Sequence, residues 1–525
     1  MFHYQIDFSK YKLRNYEKEL AVKEFINQFP KVKNYSINDF GISFTTNKFV
    51  NELKLKKLTF FSAFHYQNTK FSKSNILTNQ VIIENFHKFT PNLFNEIKPS
   101  YSREIRYLTH ALHEYKGRFY PQLVKALMNY AGLQEGDTIL DPFCGSGTTL
   151  VESFLFGANA IGVDINPIAT LLAKAKVESL SLNKRDFAGI KNLINEVDND
   201  NNSTWKSVNL TEYNNSVDVE YLQNWFPENN LKKILFIKEA IKNLHSETSQ
   251  LLSKVVLSNL LRQFSYQDPS QLRIRRRKEQ PAENVIKMFI INLNEHIQNI
   301  ESFQSLFDFE FNPTIQTYLG DIRTLKQSTK LKSNSIDAVI TSPPYATALP
   351  YVDTDRLSLF VFGYTDKNSF KQLEKSVIGN REITKSKRIL LDKELEKNFE
   401  TSLLPVEIVN LLKTIYQLNK NADVGFRRKN TAALLFQYFY DMHIGIGQTA
   451  QVLKKNKYAF FVVGNNHTTA GSKKINIPTD DFIGLIAENN NFKLIEKISM
   501  SVHKSYMIHS KNAIKTESIL VLQMI

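Results

Sequence analysis

The stretch that most constrains this chain is Asp141-Pro-Phe-Cys-Gly-Ser-Gly-Thr-Thr149. Asp137-Thr-Ile-Leu140 before it is apolar and reads as a buried strand. Leu150 to Gly157 after it reads as a helix closed by glycine, and Ala160-Ile-Gly-Val-Asp-Ile-Asn166 as a second strand ending in an acid. Strand, glycine-rich turn, helix, strand and carboxylate, in that order, are the parts with which a doubly wound sheet holds a nucleoside. Gly145 and Gly147 permit a sharp turn close to a ligand, and Asp164 can accept from a ribose diol. The turn lacks the third glycine of a dinucleotide fingerprint and the lysine of a phosphate loop. A nucleoside without phosphates is expected, S-adenosylmethionine (SAM) first among them.

A glycine pair alone is weak, because many structural turns carry one. The second informative stretch is Asp337-Ala-Val-Ile-Thr-Ser-Pro-Pro-Tyr345. An apolar strand ends there in two prolines, which fix φ and remove two N–H donors. Read as structure alone, Pro343 and Pro344 only stop the strand. Read with the Asp141 turn, they stiffen a loop whose carbonyls can accept from a substrate, with Tyr345 following as a flat stacking surface.

Together the two stretches resemble the motifs of amino-directed DNA methyltransferases, which methylate exocyclic amines. Asp141 to Thr149 is similar to the SAM motif of that family, and Thr341-Ser-Pro-Pro-Tyr345 to its catalytic motif. A third likeness is Thr109-His-Ala-Leu-His-Glu-Tyr-Lys-Gly-Arg-Phe-Tyr-Pro121, similar to the segment that closes over the methionine end of SAM. The resemblance implies a Rossmann-like α/β fold: a doubly wound, mostly parallel sheet with an antiparallel C-terminal hairpin. It implies that Asp141, Pro142, Phe143, Gly145, Gly147, Thr148, Thr149, Asp164, Ile165, Asp321, His113 and Tyr115 bind the cofactor. Ser342, Pro343, Pro344 and Tyr345 would be catalytic. The Ser-Pro-Pro-Tyr form is similar to enzymes acting on cytosine N4, whereas adenine-N6 enzymes more often carry Asp or Asn before Pro-Pro. Many enzymes of the serine form place the catalytic motif first; here the SAM motif comes first, which leaves the target-recognition region unassigned.

The formal net charge of +15 points to a polyanionic partner, and double-stranded DNA is the one expected. A generally lysine-rich composition is the bland alternative. The single cysteine, Cys144, rules out a disulfide framework or a cysteine zinc site. His110 and His113 lack a nearby partner set for zinc, so no metal is expected. With no signal peptide and no run of eighteen apolar residues, a cytoplasmic protein, associated with the nucleoid when on DNA, is expected, with no membrane association.

Residues 1–100 mix helix-like and strand-like segments and interleave lysines with aromatics, as in Lys54-Leu-Lys-Lys-Leu-Thr-Phe-Phe61. They read as a small α+β region that could touch DNA or simply present an amphipathic surface. The catalytic domain is expected over 101–180 and 312–525. A mostly helical insertion over 181–311 separates its halves, including helices from Leu231 to Leu244 and Leu251 to Phe264. That insertion carries Gln271-Leu-Arg-Ile-Arg-Arg-Arg-Lys278, the densest cationic run. Arg273, Arg275, Arg276, Arg277 and Lys278 are candidates for phosphate contact, against the ordinary reading of a solvated face. Residues 360–430 read as a lid or a second DNA-contacting insertion. Ala432 to Lys454 reads as a helix, Tyr458 to Gly464 as a buried strand, and Phe492 to Val502 with Ser518 to Gln523 as the final hairpin.

Methyl transfer from a sulfonium to an exocyclic amine is an in-line displacement in which acceptors draw the delocalised lone pair out. Ser342 Oγ and the Pro343 carbonyl are the expected acceptors, Tyr345 the stacking partner, and the base must leave the duplex to reach them. Carbon-5 methylation needs a thiolate, and Cys144 sits in the SAM turn, so it reads as packing. The leading expectation is a cytosine-N4 DNA methyltransferase of a restriction or phage-defence system, with a cognate restriction endonuclease as possible partner. Adenine N6, RNA guanine N2 and a nucleic-acid-binding subunit without turnover are the alternatives.

Overall fold

Seven strands build the central sheet of the computed structural model: β6 (Thr138–Asp141), β7 (Asn159–Asp164), β8 (Ile315–Leu319), β9 (Ile336–Thr341), β10 (Leu453–Gly464), β13 (Phe492–Ser501) and β14 (Thr516–Met524). Their order is β13-β14-β10-β9-β6-β7-β8. β10, β9, β6, β7 and β8 pair in parallel, while β14 runs antiparallel to both β10 and β13. The strand order reverses at β6, so the carboxyl ends of β6 and β9 flank the crevice where such sheets take their ligands. This is the Rossmann-like methyltransferase architecture expected, including the antiparallel C-terminal hairpin. The described residues are 1–69, 72–85, 103–115, 117, 120–199, 204–271, 273–306, 312–346, 352–381, 383–397, 403–420, 422–501 and 516–525. Arg118, Phe119, Leu272, Tyr351, Val502 and most of the polar turn Asp198–Ser203 lie outside them.

The central stretches of the inner strands are largely apolar because helices cover both faces. β9 is buried at all six positions. Helices Pro121–Tyr130 and Thr148–Phe156 pack on one side. Helices Thr431–Val452 and Thr479–Glu488 pack on the other. The helix expected to run to Lys454 stops at Val452, where β10 begins five residues ahead of the expected Tyr458. Asn456, with φ of +61°, marks the irregularity that breaks the pairing of β10 with β9 between Leu453 and Tyr458. A short hairpin, β11 (Asn466–Ala470) with β12 (Lys473–Ile477), follows β10 and was not legible in the sequence.

The N-terminal region is a five-stranded antiparallel sheet in the order β2-β3-β1-β4-β5: Tyr35–Ile37, Gly41–Thr46, Phe2–Phe8, Phe61–Gln67 and Ser72–Leu77. Helix Asn15–Gln28 lies between this sheet and helix Pro121–Tyr130, and one apolar core runs through all of them. The helices Lys184–Asn199, Glu228–Lys242, Glu247–Leu260 and Val285–Leu306 form a second core that reaches Ile168, Leu172 and Phe360. The cationic run 273–278 is an irregular loop rather than helix, held by the bridge between Gln267 and Arg276.

Candidate active site

Asp141 is the hinge of the site. Its carboxylate is buried and accepts from Thr149 Oγ1 at 2.6 Å, Thr341 Oγ1 at 2.6 Å and the Phe143 amide at 3.1 Å. A buried carboxylate is tolerable only when paired or hydrogen-bonded. Here its donors come from the turn after β6 and from the last residue of β9, so one side chain locks the two motifs together. Burial nonetheless holds its pKa at about 6. Asp141 was expected at the cofactor; it stands behind the cavity wall, as do Gly147, Thr148, Thr149 and His113. Gly147 is required by packing: with φ of +81°, a Cβ there would lie 2.7 Å from Ala173 Cα. His113 bridges to Ser258 Oγ at 3.1 Å and thereby ties the upstream segment to helix Glu247–Leu260. His110 meets Glu152 at 2.9 Å, a carboxylate shared with Tyr107.

In front of that layer lies a cavity of about 740 Å³, its open mouth included. Pro142, Phe143, Gly145, Asp164, Ile165 and Asp321 line it. Tyr115 roofs the turn, close enough that a Cβ on Gly145 would stand 3.2 Å from its ring. Asp164 Oδ2 accepts the Gly145 amide and Oδ1 the Asn166 amide, each at 2.9 Å. Burial raises Asp164 to about 6. Asp321 is engaged by the Arg323 guanidinium, which also reaches Asp441 and the Ser376 carbonyl. Val377 and Ile378, from the segment after helix Lys367–Ser376, also line the cavity. Nothing in the sequence marked them, because an isoleucine in a polar stretch has no local signature.

Ser342, Pro344 and Tyr345 complete the wall, while Pro343 is buried behind it. Ser342 Oγ donates to the Val462 carbonyl of β10 at 3.1 Å, which leaves its lone pairs free to accept. The loop is pinned on both sides of Tyr345. Tyr438 OH donates to the Pro344 carbonyl at 3.0 Å, and Asn466 Nδ2 to the Ala346 carbonyl at 2.7 Å. The Tyr345 hydroxyl donates to Glu517. Tyr438 and Glu517 come from remote elements and carry no local mark in the sequence. Cys144 is buried, and burial among carboxylates pushes its thiol well up, away from the thiolate a nucleophile needs.

Residues 110–219 match the RMKL-like methyltransferase domain. The type II methyltransferase M.MvaI of Kocuria varians is 25% identical over 399 residues, 73% of this chain and 82% of its own. M.BsoBI of Geobacillus stearothermophilus is 25% identical over 452 residues, 78% of this chain and 84% of its own. The chain is thus similar to type II methyltransferases over most of their own lengths. Its cofactor is S-adenosylmethionine. A tRNA (guanine(10)-N2)-dimethyltransferase of Methanocaldococcus jannaschii is 40% identical, but over only 96 residues, 18% of this chain and 26% of its own. The cavity suits the cofactor: a glycine where a side chain would meet the roof, and a carboxylate at the end of β7.

The cationic loop divides. Arg277 donates to the carbonyls of Gln263 and Ser265, each at 2.6 Å, and Arg276 donates to the Asn224 carbonyl and stacks 4.3 Å over Tyr266. These two staple the loop. Arg273, Arg275 and Lys278 are exposed. The Ile274 amide donates to Asp353, next to Val352 of the cavity wall.

Proposed function

We propose that this protein transfers the methyl group of S-adenosylmethionine to the exocyclic N4 of cytosine in duplex DNA, as the modification enzyme of a restriction-modification system. The observation that carries this reading is Ser342: its hydroxyl proton is directed at the Val462 carbonyl, so its oxygen faces the cavity as an acceptor. The cofactor supplies an electrophilic methyl on sulfur. Ser342 accepts one N–H of the target amine, pulling the nitrogen toward a tetrahedral shape and exposing its lone pair. The Pro343 carbonyl, expected as the second acceptor, belongs to a residue behind the cavity wall and is given no part, and Tyr345 stacks on the base. The Pro344 carbonyl already accepts from Tyr438 and takes no part. Asp164 receives the ribose diol, with Ile165 and Asp321 beside the adenine and Tyr115 above the methionine end. The base reaches this cavity only by leaving the duplex. Arg273, Arg275 and Lys278 contact phosphate.

Duplex DNA and a cognate restriction nuclease as partner are favoured by the type II methyltransferase relatives, which align over most of their own lengths. The tRNA enzyme matches only 18% of this chain and 26% of its own length, so RNA is the weaker reading. The test is direct: incubate the protein with mixed-sequence duplex DNA and labelled SAM, then digest to nucleosides. Label in N4-methylcytosine is expected. Label in N6-methyladenine would overturn the base but keep the substrate, and label in RNA alone would overturn both.

A further inference from the structure

The catalytic loop is fixed at its backbone by Tyr438 and Asn466, one on each side of Tyr345. What those bonds leave open is rotation of the Tyr345 side chain. Glu517 addresses that freedom. It opens β14, in register with Gly464 of β10 and Met500 of β13, and its carboxylate accepts from the Tyr345 hydroxyl. The rest of β14 inward, Ile519 to Leu522, is apolar, so an acid at this register position is an exception that packing alone does not call for. Burial raises its pKa, a cost offset by the phenol it receives. A hydrogen bond from a phenol to a carboxylate is among the stronger kinds.

We propose that Glu517 is a positioning residue that holds the Tyr345 ring edge-fixed through its hydroxyl, so that the ring presents one face to the incoming base. The proposal rests on the reading of Tyr345 as the stacking residue. It links the antiparallel C-terminal strand, the part of the sheet furthest in sequence from the cofactor turn, to the geometry of the target base.

The test is a double-mutant cycle with Tyr345→Phe, which removes only the hydroxyl, and Glu517→Ala, with Glu517→Gln as the conservative variant. Each of the first two is expected to lower kcat/KM for DNA by roughly tenfold, the scale of one base–aromatic stack. The double variant should lose no more than either alone, Glu517→Gln should recover most of the activity, and SAM affinity by calorimetry should stay unchanged. Losses that multiply, an unaffected Tyr345→Phe, or a parallel loss of SAM affinity would overturn the proposal. Fluorine spectra of 3-fluorotyrosine placed at 345 read the tether without turnover: Glu517→Ala should change the ring's signal and Glu517→Gln should not. An unchanged signal in Glu517→Ala overturns the tether, whereas wild-type label in RNA instead of DNA overturns only the substrate reading.

Discussion

At the scale of single residues, the acids of the site divide their labour. Asp141 faces inward and joins two motifs; Asp164 faces the cavity with both oxygens already oriented by amides. Replacing Asp164 with Ala should weaken SAM binding by roughly 1–3 kcal/mol, the range for leaving polar partners unpaired, as calorimetry would show. Because burial lifts Asp164 to about 6, the acceptor form prevails at pH 7 and is lost below. SAM affinity should therefore hold above neutrality and fall as pH drops through about 6. Folding stability has the opposite sign. A carboxyl raised in the folded state favours proton uptake, so its contribution is fullest below the unfolded value and is lost as pH rises through the folded one. Cys144 has no chemical role in this arrangement: Cys144→Ser should keep most activity, and no covalent adduct with DNA should be trapped.

At the scale of elements, the cationic loop is the clearest case of one run serving two ends. Arg276 and Arg277 hold their own loop through main-chain carbonyls, whereas Arg273, Arg275 and Lys278 face solvent. Changing Arg275 and Lys278 to Ala should weaken DNA binding across all sequences. The slope of log affinity against log salt should shrink by about 0.9 for each phosphate no longer neutralised. Arg277→Ala should instead lower the thermal midpoint, because the carbonyls of Gln263 and Ser265 lose their shared donor. An unchanged salt slope in the first pair would return the run to a solvated face. The loop from Ser342 to Ala346 shows the same economy, since Ser342, Pro344 and Ala346 are held respectively by β10, helix Thr431–Val452 and β11.

At the scale of the whole molecule, the N-terminal sheet is fastened to the catalytic core through a buried acid. Glu24 is fully buried and accepts the amides of Thr59 and Phe60 and the Asn129 side chain of helix Pro121–Tyr130. Replacing it with Ala strands those donors, and the protein should lose about 2–4 kcal/mol in urea unfolding, a sum of unpaired buried groups. A loss within about 0.5 kcal/mol, the usual effect of surface changes, would sever this link from the stability of the whole.

What the sequence determined by itself was everything set by a residue's own backbone and nearest neighbours. Two glycines at a turn, a helix stop at Gly157, an acid closing β7 and prolines closing β9 all act over a few residues, and each is found where its local chemistry put it. The alternation of strands and helices, together with the resemblance of the two motifs, pointed to the parallel sheet and its final hairpin. What only the tertiary structure decided was the partner of each polar group. Asp141 meets Thr341 across 200 positions, Tyr345 meets Glu517 across 172, and Pro344 meets Tyr438 across 94. Strand order and register bring these pairs together, and neither is written in the spacing of any one segment. An aspartate before a glycine turn looks the same in a sequence whether it faces a ligand or a buried threonine. The sheet alone turns Asp141 inward and leaves Asp164 at the cavity.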